Sequence, residues 1–378
     1  MRNLYYLLFF VAFSISGCKQ ETAPAAAKHT KTKNTIAYAK GLQLYRYDGY
    51  TVVKVTNPWP DAKETFTYVM QKKNGVVPDS LKQYTTVQVP LKTVVVTSTT
   101  HIPSLEALGV QNTLAGFPGT NFISSKNTRA LIDSGWVIEA GANENLNTEV
   151  MIDLAPDAVV GFSISSNNKS LNALEKSGLK ILYNGDWTEQ SPLGKAEWIK
   201  FFGALYDQED KANKLFTNIE KNYKEALTLA QKATTKPTVL GGAMFQDQWY
   251  LPQGKSWAAL FLKDAKSNYL WADTEGTGSL SLSFESVLDK AENADVWIGP
   301  GQFVTLKDMA DTNPHYAQFK AFKTKNVYSY SSKKGPTGGI LYFELAPNRP
   351  DLVLKDLISI LHPELLPGYE KHFFEKLN

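Results

Sequence analysis

Apolar and polar residues alternate along the early part of the chain. Within residues 36–91 the alternation is clear in Thr51–Val55 and Thr65–Val69, and the segment Asn57–Pro60 interrupts it. A period of two residues is typical of a β-strand with one buried face. The pattern therefore predicts a small, antiparallel, β-rich extension over residues 36–91, packed on the structure that follows.

Short continuous apolar runs replace this alternation from residue 92 onwards. Val94–Val96 precedes a polar loop and a helix-like segment, which is typical of a strand buried in a parallel sheet. The same succession returns around Val239–Phe245 and Asp295–Gly299. The sequence therefore predicts two α/β lobes, an N-terminal lobe over residues 92–206 and a C-terminal lobe over residues 234–378.

The segment between the lobes, residues 207–233, has the 3.6-residue period of an amphipathic helix. Its apolar positions are Ala212, Leu215, Phe216, Ile219, Tyr223, Ala226, Leu227 and Ala230. Asp207 and Asp210 suit the N-terminal end of such a helix. At ~1.5 Å per residue the helix is about 40 Å long, which is enough to join one lobe to the other.

The first residues resemble a lipoprotein signal peptide. A positive start, Met1–Arg2, precedes the apolar run Leu4–Phe13, which is too short to span a bilayer of ~30 Å. The run ends in Ile15–Cys18, which resembles a lipobox, so residues 1–17 are expected to be removed and Cys18 to be lipidated. The alternative is an ordinary buried segment that contains a cysteine by chance.

Residues 18–35 contain no large apolar residue and are predicted to form a flexible tether. No later segment reaches the ~18 consecutive apolar residues of a membrane-spanning helix. The sequence therefore predicts an extracytoplasmic protein, on the periplasmic side, that is anchored in the membrane by its N-terminal lipid. It does not decide between the inner and the outer membrane.

Composition and motifs exclude several functions. The single cysteine excludes a disulfide scaffold and a thiolate zinc site, and the net charge of +3 does not suggest binding to nucleic acid. The five histidines lack metal-ligand spacing, and no P-loop, GxSxG or HExxH motif occurs. An enzyme is therefore unsupported rather than disproved by these motifs, and our expectation is a non-enzymatic protein with no cofactor and no directly bound metal. A lipid-anchored two-lobe hydrolase or chelatase and a structural lipoprotein are the alternatives.

Polar and aromatic loops follow the predicted strands of both lobes. Open α/β sheets bind ligands at the carboxyl ends of their strands, so the loops of two facing lobes would line one cleft. The candidate ligand-contacting residues are Thr99, His101, Phe162, Tyr183, Trp187, Trp249, Tyr250, Trp257 and Tyr330. For each of these side chains, local packing is the alternative.

One short pattern occurs in each lobe. Glu149–Asp153 leads into a strand that ends at Gly161, and Glu285–Asp289 leads into a strand that ends at Gly299. This pattern, the long helix and the C-terminal sequence RPDLVLKDL…HPE at Arg349–Glu364 resemble one family. It is the family of substrate-binding proteins of ABC importers for iron-siderophore complexes, haem and cobalamin.

The resemblance covers residues 92–362. It implies two Rossmann-like lobes joined by a single long rigid helix, with the ligand clamped between the lobes. Each lobe in the family presents a surface glutamate that pairs with arginine on the transmembrane subunits of the permease, and by position these are Glu149 and Glu285. The alternative is that both glutamates only favour the N-termini of their own helices.

Two features depart from the family. The extension over residues 36–91 lies outside the family core, and the chain lacks the arginine cluster that many siderophore binders place against anionic chelates. Its only arginines are Arg2, Arg46, Arg129 and Arg349. The expected ligand is therefore a bulky, nearly neutral metal chelate. A ferric siderophore, a hydroxamate in particular, is the first expectation, and cobalamin or haem is the alternative.

Overall fold

The computed structural model of the protein describes residues 32–60 and 62–378. The predicted signal peptide, Cys18 and most of the predicted tether lie outside these residues. Within the described part, no helix combines the length and the apolar character needed to cross a membrane. Residues 33–378 form one unit.

A four-stranded sheet forms the N-terminal extension. Its strands are β1 (Leu42–Arg46), β2 (Tyr50–Thr56), β3 (Thr65–Lys72) and β4 (Thr85–Val89). The first three are antiparallel neighbours, as predicted, but β4 runs parallel to β3. The antiparallel prediction is wrong for β4 because residues 73–84 form a crossover, which is long enough to return the chain to the same end of the sheet.

The extension shares its core with the lobe that follows. Val53, Met70 and Val87 are fully buried on one face of its sheet, and they belong to the same hydrophobic cluster as Val160 and Phe202. Alternate residues of a strand point to one face, so the alternation seen in the sequence marks the side that packs on the N-terminal lobe.

Two buried carboxylates hold the chain just before β1. Glu197 accepts hydrogen bonds from the backbone N–H groups of Tyr38 at 2.6 Å and Ala39 at 2.9 Å. Glu189 accepts one from the N–H of Gly41 at 2.8 Å. Both glutamates are at most 5% exposed, and hydrogen bonds to a charged acceptor are stronger than those between neutral groups. The extension is therefore fastened to the N-terminal lobe by polar contacts as well as by its core.

The N-terminal lobe is built around a five-stranded parallel sheet. The strands are β5 (Val94–Val96), β6 (Leu114–Phe117), β7 (Ile138–Glu139), β8 (Gly141–Ala142), β9 (Asn145–Leu146), β10 (Ala158–Gly161) and β11 (Ile181–Tyr183). The order in the sheet is β11-β10-β5-β6-β7, and β8 and β9 form a separate hairpin. The helices are α1 (Ile102–Ala107), α2 (Lys126–Asp133), α3 (Thr148–Leu154), α4 (Lys169–Lys176), α5 (Pro192–Glu197) and α6 (Ile199–Leu205).

The long helix predicted over residues 207–233 is α7 (Glu209–Ala230), which has 22 residues. At ~1.5 Å per residue its length is about 33 Å. Phe216, Tyr223 and Ala226 are buried along one face. Gly203 of α6 allows a close approach of α7, because a Cβ atom at residue 203 would lie 2.6 Å from the Cβ of Ala212.

The C-terminal lobe follows α7 and has a second five-stranded sheet. The strands are β12 (Thr238–Gly241), β13 (Ala243–Phe245), β14 (Gln248–Pro252), β15 (Asn268–Tyr269), β16 (Ser279–Leu282), β17 (Val296–Ile298), β18 (Val327–Ser329) and β19 (Glu375–Lys376). The main sheet has the order β15-β12-β17-β18-β19, parallel except for β19, and β13-β14-β16 form an antiparallel sheet. The helices are α8 (Trp257–Asp264), α9 (Phe284–Ala291), α10 (Leu306–Thr312), α11 (Lys320–Lys323), α12 (Leu341–Leu345) and α13 (Pro350–Leu361).

The repeated sequence pattern corresponds to a repeated structure. In the N-terminal lobe α3 leads into β10, and in the C-terminal lobe α9 leads into β17. The side chains of Asn147 and Ser283 cap the two helices, which satisfies backbone N–H groups that the helix itself leaves unpaired. The two lobes therefore present the same helix-to-strand unit.

Candidate ligand-binding cleft

A cavity of about 1010 Å³, here called the large compartment, opens at the carboxyl ends of β12 and β17. Part of its lining is the backbone of Gly241 and Gly299, where these strands end. Gly299 has a φ of 65°, and a Cβ atom at this residue would lie 2.9 Å from the ring of Tyr330. Glycine therefore permits both the turn and the close approach of the tyrosine ring.

Aromatic side chains form one wall of the large compartment. The ring of Tyr330 stacks on that of Tyr342 with centroids 4.6 Å apart, and Phe343 meets Tyr330 edge-on at 5.5 Å. Trp257 lies 5.8 Å from Tyr342. Burial raises the pKa of the Tyr330 and Tyr342 hydroxyl groups, so both stay neutral at physiological pH. The wall is a packed, uncharged surface suited to rings and other apolar groups.

A second cavity of about 480 Å³, here called the interlobe groove, lies between the lobes. The N-terminal lobe contributes Thr99 and Phe162, which follow β5 and β10, and the C-terminal lobe contributes Lys334. Gln302 and Phe343 line both cavities. The large compartment and the interlobe groove therefore adjoin, and we refer to them together as the cleft.

Exposed aromatic rings mark the edge of the cleft. Phe122 of the groove is 68% exposed, Phe245 of the large compartment is 67% exposed, and Phe343 is 52% exposed. Single exposed apolar side chains are ordinary, but several around one cavity mark a surface that binds something apolar. Both lobes contribute to this edge.

Five of the nine predicted ligand-contacting residues line the cleft. Thr99 and Phe162 lie in the interlobe groove, and Tyr250, Trp257 and Tyr330 lie in the large compartment. The structure therefore brings together residues that are far apart in the sequence. Their contact with a ligand stays a prediction.

Trp249 and His101 are fully buried and do not line the cleft. Trp249 stacks on Trp297 at 5.2 Å, and its indole N–H donates to the carbonyl oxygen of Gly241 at 2.9 Å. His101 packs against Phe202 at 5.5 Å, and burial lowers the pKa of its imidazole. Both side chains belong to the core beneath the strand ends.

Tyr183 and Trp187 lie outside the two cavities. Tyr183 packs against Trp59 and Phe66 with ring centroids 5.1 and 4.8 Å apart, and burial raises its pKa to about 12. Trp187 donates from its indole N–H to the backbone carbonyl of residue 58 at 3.0 Å, and its ring meets that of Phe162 edge-on at 5.5 Å. The extension therefore covers this end of the sheet, and Trp187 supports a residue of the groove from behind.

The sequence did not point to several residues that line the cleft. Lys334 and Phe343 come from the segment between β18 and α13, which has no regular apolar pattern, and Phe122 comes from the short turn after β6. Gln302 follows the Gly-rich turn after β17. The sequence showed that turns follow these strands, but it gave no indication of which side chains in the turns face the cavity.

A set of polar contacts joins the lobes beside the groove, and we call it the interlobe seam. Glu344 of α12 accepts hydrogen bonds from the backbone N–H groups of Ser124 at 2.5 Å and Ser125 at 3.0 Å, just before α2. Asn348 donates to the carbonyl oxygen of Thr100 at 2.8 Å and accepts from the hydroxyl group of Ser104 at 2.9 Å. The seam therefore connects the C-terminal lobe to two segments of the N-terminal lobe.

Glycines let the two backbones meet in this region. A Cβ atom at Gly339 would lie 2.2 Å from the carbonyl oxygen of Phe122, and one at Gly335 would lie 2.5 Å from the Cα of Ser124. The segment that carries Lys334 is thus pressed directly onto the N-terminal lobe. Its position, and with it the width of the groove, is set by backbone contact.

The two glutamates predicted to dock on a permease lie at equivalent places. Glu149 is in the first turn of α3 and Glu285 is in the first turn of α9, and both are exposed. The caps of these helices come from other side chains, so the two carboxylates remain in solvent where a partner can reach them. Their role in docking stays a prediction.

The cleft is nearly free of charge. Among the described residues that line the two cavities, Lys334 is the only one with a charged side chain at neutral pH. Over the described part of the chain, no three His, Cys, Asp or Glu side chains come together as a metal site.

A comparison with family models decides the classification. The model of the family described as periplasmic binding protein matches residues 94–333. The chain belongs to the periplasmic binding protein family. The matched range includes α7 and most of both lobes. Members of this family serve as binding components of ABC importers, so membership implies a small-molecule ligand and a permease partner.

Two relatives of this periplasmic binding protein are uncharacterised lipoproteins of Methanocaldococcus jannaschii. One is 27% identical and the alignment covers 98% of this chain and 95% of the relative. The other is 26% identical and the alignment covers 97% of each. The family and these lipoprotein relatives support an extracytoplasmic location.

Solved structures of other periplasmic binding proteins share the fold. A periplasmic haem-binding protein of Pseudomonas aeruginosa superposes with a TM-score of 0.58 and 18% identity, over 76% of this chain and 98% of that one. A possible iron-binding protein of Staphylococcus epidermidis gives 0.56 and 19%, over 72% and 99%. The vitamin B12 binding protein of Vibrio cholerae gives 0.52 and 12%, over 74% and 100%. The predicted two-lobe α/β fold is confirmed.

Proposed function

We propose that this protein is a lipid-anchored solute-binding protein that captures a metal chelate in the cleft and delivers it to an ABC permease. A ferric siderophore is the first candidate ligand, and cobalamin or haem is the alternative. The lipid is attached at Cys18, and the permease docks on Glu149 and Glu285. The observation that carries the proposal is the cleft itself, with aromatic walls from both lobes.

The chemistry of the cleft suits binding without a reaction. The described residues that line it include no carboxylate and no histidine, so the groups that most often serve as general bases in hydrolases do not face the ligand. The preformed aromatic wall lowers the entropic cost of binding a large ligand. The large compartment, at about 1010 Å³, is at the upper end of ordinary ligand pockets and accommodates a bulky chelate.

The solved relatives agree with this ligand class. Proteins of the same fold are described as iron-binding, haem-binding and vitamin B12 binding. Haem and vitamin B12 share a metal ion enclosed by a large organic chelator. Such a ligand presents mainly its organic surface to the protein, so the protein needs no metal-ligating residues of its own.

Tryptophan fluorescence tests the proposal. The full chain in detergent would be titrated with a ferric trihydroxamate siderophore, cobalamin and haem, with a free tryptophan derivative as the correction for light absorbed by the ligand. We expect saturable quenching by at least one chelate, because Trp257 lines the large compartment. The Trp257→Phe variant is expected to lose most of this quenching.

Trp136→Phe is the matched control. Trp136 is 58% exposed, and its indole N–H donates to the carbonyl oxygen of Asn112, outside the cleft, so its loss should leave the ligand-dependent quenching intact. If no chelate produces saturable quenching or heat in a parallel calorimetric titration, the proposed function is wrong.

A further inference from the structure

The two parts of the cleft differ in chemistry. The large compartment is walled by rings and aliphatic side chains, among them Trp257, Phe261 and Leu262. The interlobe groove also contains phenylalanine rings such as Phe162, but a larger share of its lining is polar, including the hydroxyl and amide groups of Thr99 and Asn143. A ligand that fills both parts therefore fits best if it has a bulky apolar portion and a smaller, more polar portion.

The charge balance of the cleft limits the charge of that ligand. Burying an anionic group is unfavourable unless an opposite charge or several hydrogen bonds compensate for the lost water. Lys334 is the only charged side chain among the described lining residues. One cation can neutralise one anionic group, and a second anionic group on the same ligand would be left uncompensated.

The backbone of Lys334 is held in place at the groove, and its side chain is exposed. Lys334 forms an isolated antiparallel bridge with Ile340, and the intervening Gly335 and Gly339 lie against the backbone of the N-terminal lobe. The neighbouring Lys333 turns away, because its ammonium group donates to the carbonyl oxygen of Lys371. The bridge therefore presents one lysine to the groove and directs the adjacent one elsewhere.

We infer, on the basis of the proposed function, that the ligand is a chelate whose metal centre carries no net negative charge and which has at most one anionic group outside the coordination sphere of its metal. The bulky portion occupies the large compartment, and the single anionic or polar group lies in the interlobe groove beside Lys334. Neutral ferric trihydroxamates and cobalamin, which has one phosphodiester group, belong to this class. Ferric tricatecholates, which are multiply anionic, and haem, which has two propionates, do not.

Calorimetry on the full chain in detergent at pH 7.5 tests the inference with four probes. These are a neutral ferric trihydroxamate, cyanocobalamin, a ferric tricatecholate and haem. We expect one of the first two to bind at least about 100-fold more tightly than either of the last two, since an unpaired anionic group buried in the cleft is strongly unfavourable. The affinity of a neutral trihydroxamate should also be nearly independent of salt concentration.

Two lysine variants test where an anionic group lies. If cyanocobalamin binds, Lys334→Gln should weaken its binding about tenfold, in line with the loss of one charge-assisted contact. Lys333→Gln, which removes the same charge from the adjacent residue, should leave the affinity unchanged. Equal effects of the two variants would contradict the placement of the anionic group at Lys334.

The outcomes also separate the inference from the proposed function. Tight binding of haem or of the tricatecholate, at or above the affinity of the neutral probes, would overturn the charge limit and leave the protein a chelate-binding protein. Failure of all four probes to bind would overturn the proposed function, and the inference with it.

Discussion

Two consecutive residues of β14 have opposite environments. Trp249 has no exposed surface, whereas Tyr250 is 43% exposed and lines the large compartment. Successive side chains of a strand point to opposite faces, so one aromatic ring supports the core and the next one faces the cleft. The two residues can therefore be expected to affect different properties of the protein.

Alanine substitutions at these two positions should separate stability from binding. Trp249→Ala should lower the free energy of unfolding by about 3–5 kcal/mol, because it removes a large, fully buried ring. Tyr250→Ala should change the free energy of unfolding by less than about 1 kcal/mol and weaken chelate binding instead. Denaturant unfolding and calorimetry on both variants measure the two effects.

One outcome for each variant would contradict these assignments. If Tyr250→Ala binds the chelate as tightly as the natural protein does, the tyrosine ring does not contact the ligand. If Trp249→Ala is as stable as the natural protein, the assignment of its ring to the core is wrong.

At the level of single residues, the sequence indicated which loops lie at the cleft but not which side chains in those loops face it. The turns after the strands were identified from apolar runs, and Thr99, Phe162, Tyr250, Trp257 and Tyr330 do line the cleft. The sequence did not indicate which of Trp249 and Tyr250 is buried. Both residues are aromatic, so there is no alternation of apolar and polar residues to mark the buried face of the strand. Which face is buried depends on which neighbour covers the strand.

Among the elements, α12 has the most unusual electrostatic environment. Its Glu344 is buried against Ser124 and Ser125 in the interlobe seam, and burial, opposed by the two backbone hydrogen bonds, raises the pKa of its carboxyl group to about 7. Repulsion by the negative charge of Glu106 contributes to this rise, and the Glu106 carboxylate lies close by, where it accepts a hydrogen bond from the Ser125 hydroxyl group. The seam therefore contains a carboxyl group that titrates near neutral pH.

The raised pKa gives stability a defined dependence on pH. Between the ordinary pKa of 4.5 and the native pKa of about 7, the native state binds the proton of Glu344 and the unfolded state does not. The contribution of Glu344 to stability is therefore fully present below about pH 4.5 and is lost as the pH rises through 7. Glu344→Gln should gain stability relative to the natural protein on going from pH 5 to pH 8, by up to about 3 kcal/mol.

Denaturant unfolding of both proteins at pH 5 and pH 8 measures this difference. Glu364→Gln is the control, since Glu364 is exposed and lies outside the seam, and it should show no such gain. A constant difference between Glu344→Gln and the natural protein at the two pH values would show that Glu344 does not titrate differently in the folded state.

The sequence predicted the elements that have a long periodic pattern, but it did not predict how short segments pair with distant parts of the chain. The sequence placed the long helix at residues 207–233, close to the observed Glu209–Ala230, because its many turns repeat the same apolar spacing. It did not indicate that β4 pairs parallel to β3, nor that the segment around Lys334 crosses to the other lobe. Both depend on contacts between distant parts of the chain, which no local pattern encodes.

At the scale of the whole molecule, each lobe presents one exposed glutamate at the start of a capped helix. A partner with two equivalent subunits could bind both at once, and such paired charges act mainly on the recognition and rate of association. The sequence predicted the two lobes from alternating apolar runs and helical segments, and a repeated pattern together with the family resemblance pointed to the two glutamates. It could not predict that the extension and both lobes share one continuous core, because that depends on tertiary packing.

The double variant Glu149→Ala/Glu285→Ala should keep the chelate affinity of the purified protein and lose transport. Neither glutamate lies in the cleft, so the binding site is unaffected, while the contact with the permease is removed at two places. Calorimetry measures the first quantity, and chelate uptake by cells that carry the cognate permease measures the second.

Asp153→Ala/Asp289→Ala is the matched control, because these carboxylates are exposed on the same two helices, one turn further on. It should transport normally. If the glutamate variant also transports normally, or if both variants fail equally, the docking assignment is wrong.

The interlobe seam has a further consequence for how quickly a ligand can enter and leave. The lobes are joined along α7 and again at the seam, and two separated attachments prevent the swinging motion that a single hinge would permit. With the lobes held at two places, we expect the mobile parts at the entrance to be the exposed rings of Phe122, Phe245 and Phe343, since exposed side chains change rotamer within nanoseconds. A slow release rate is then expected to reflect tight contact and the cost of rehydrating the cleft rather than the opening of a domain.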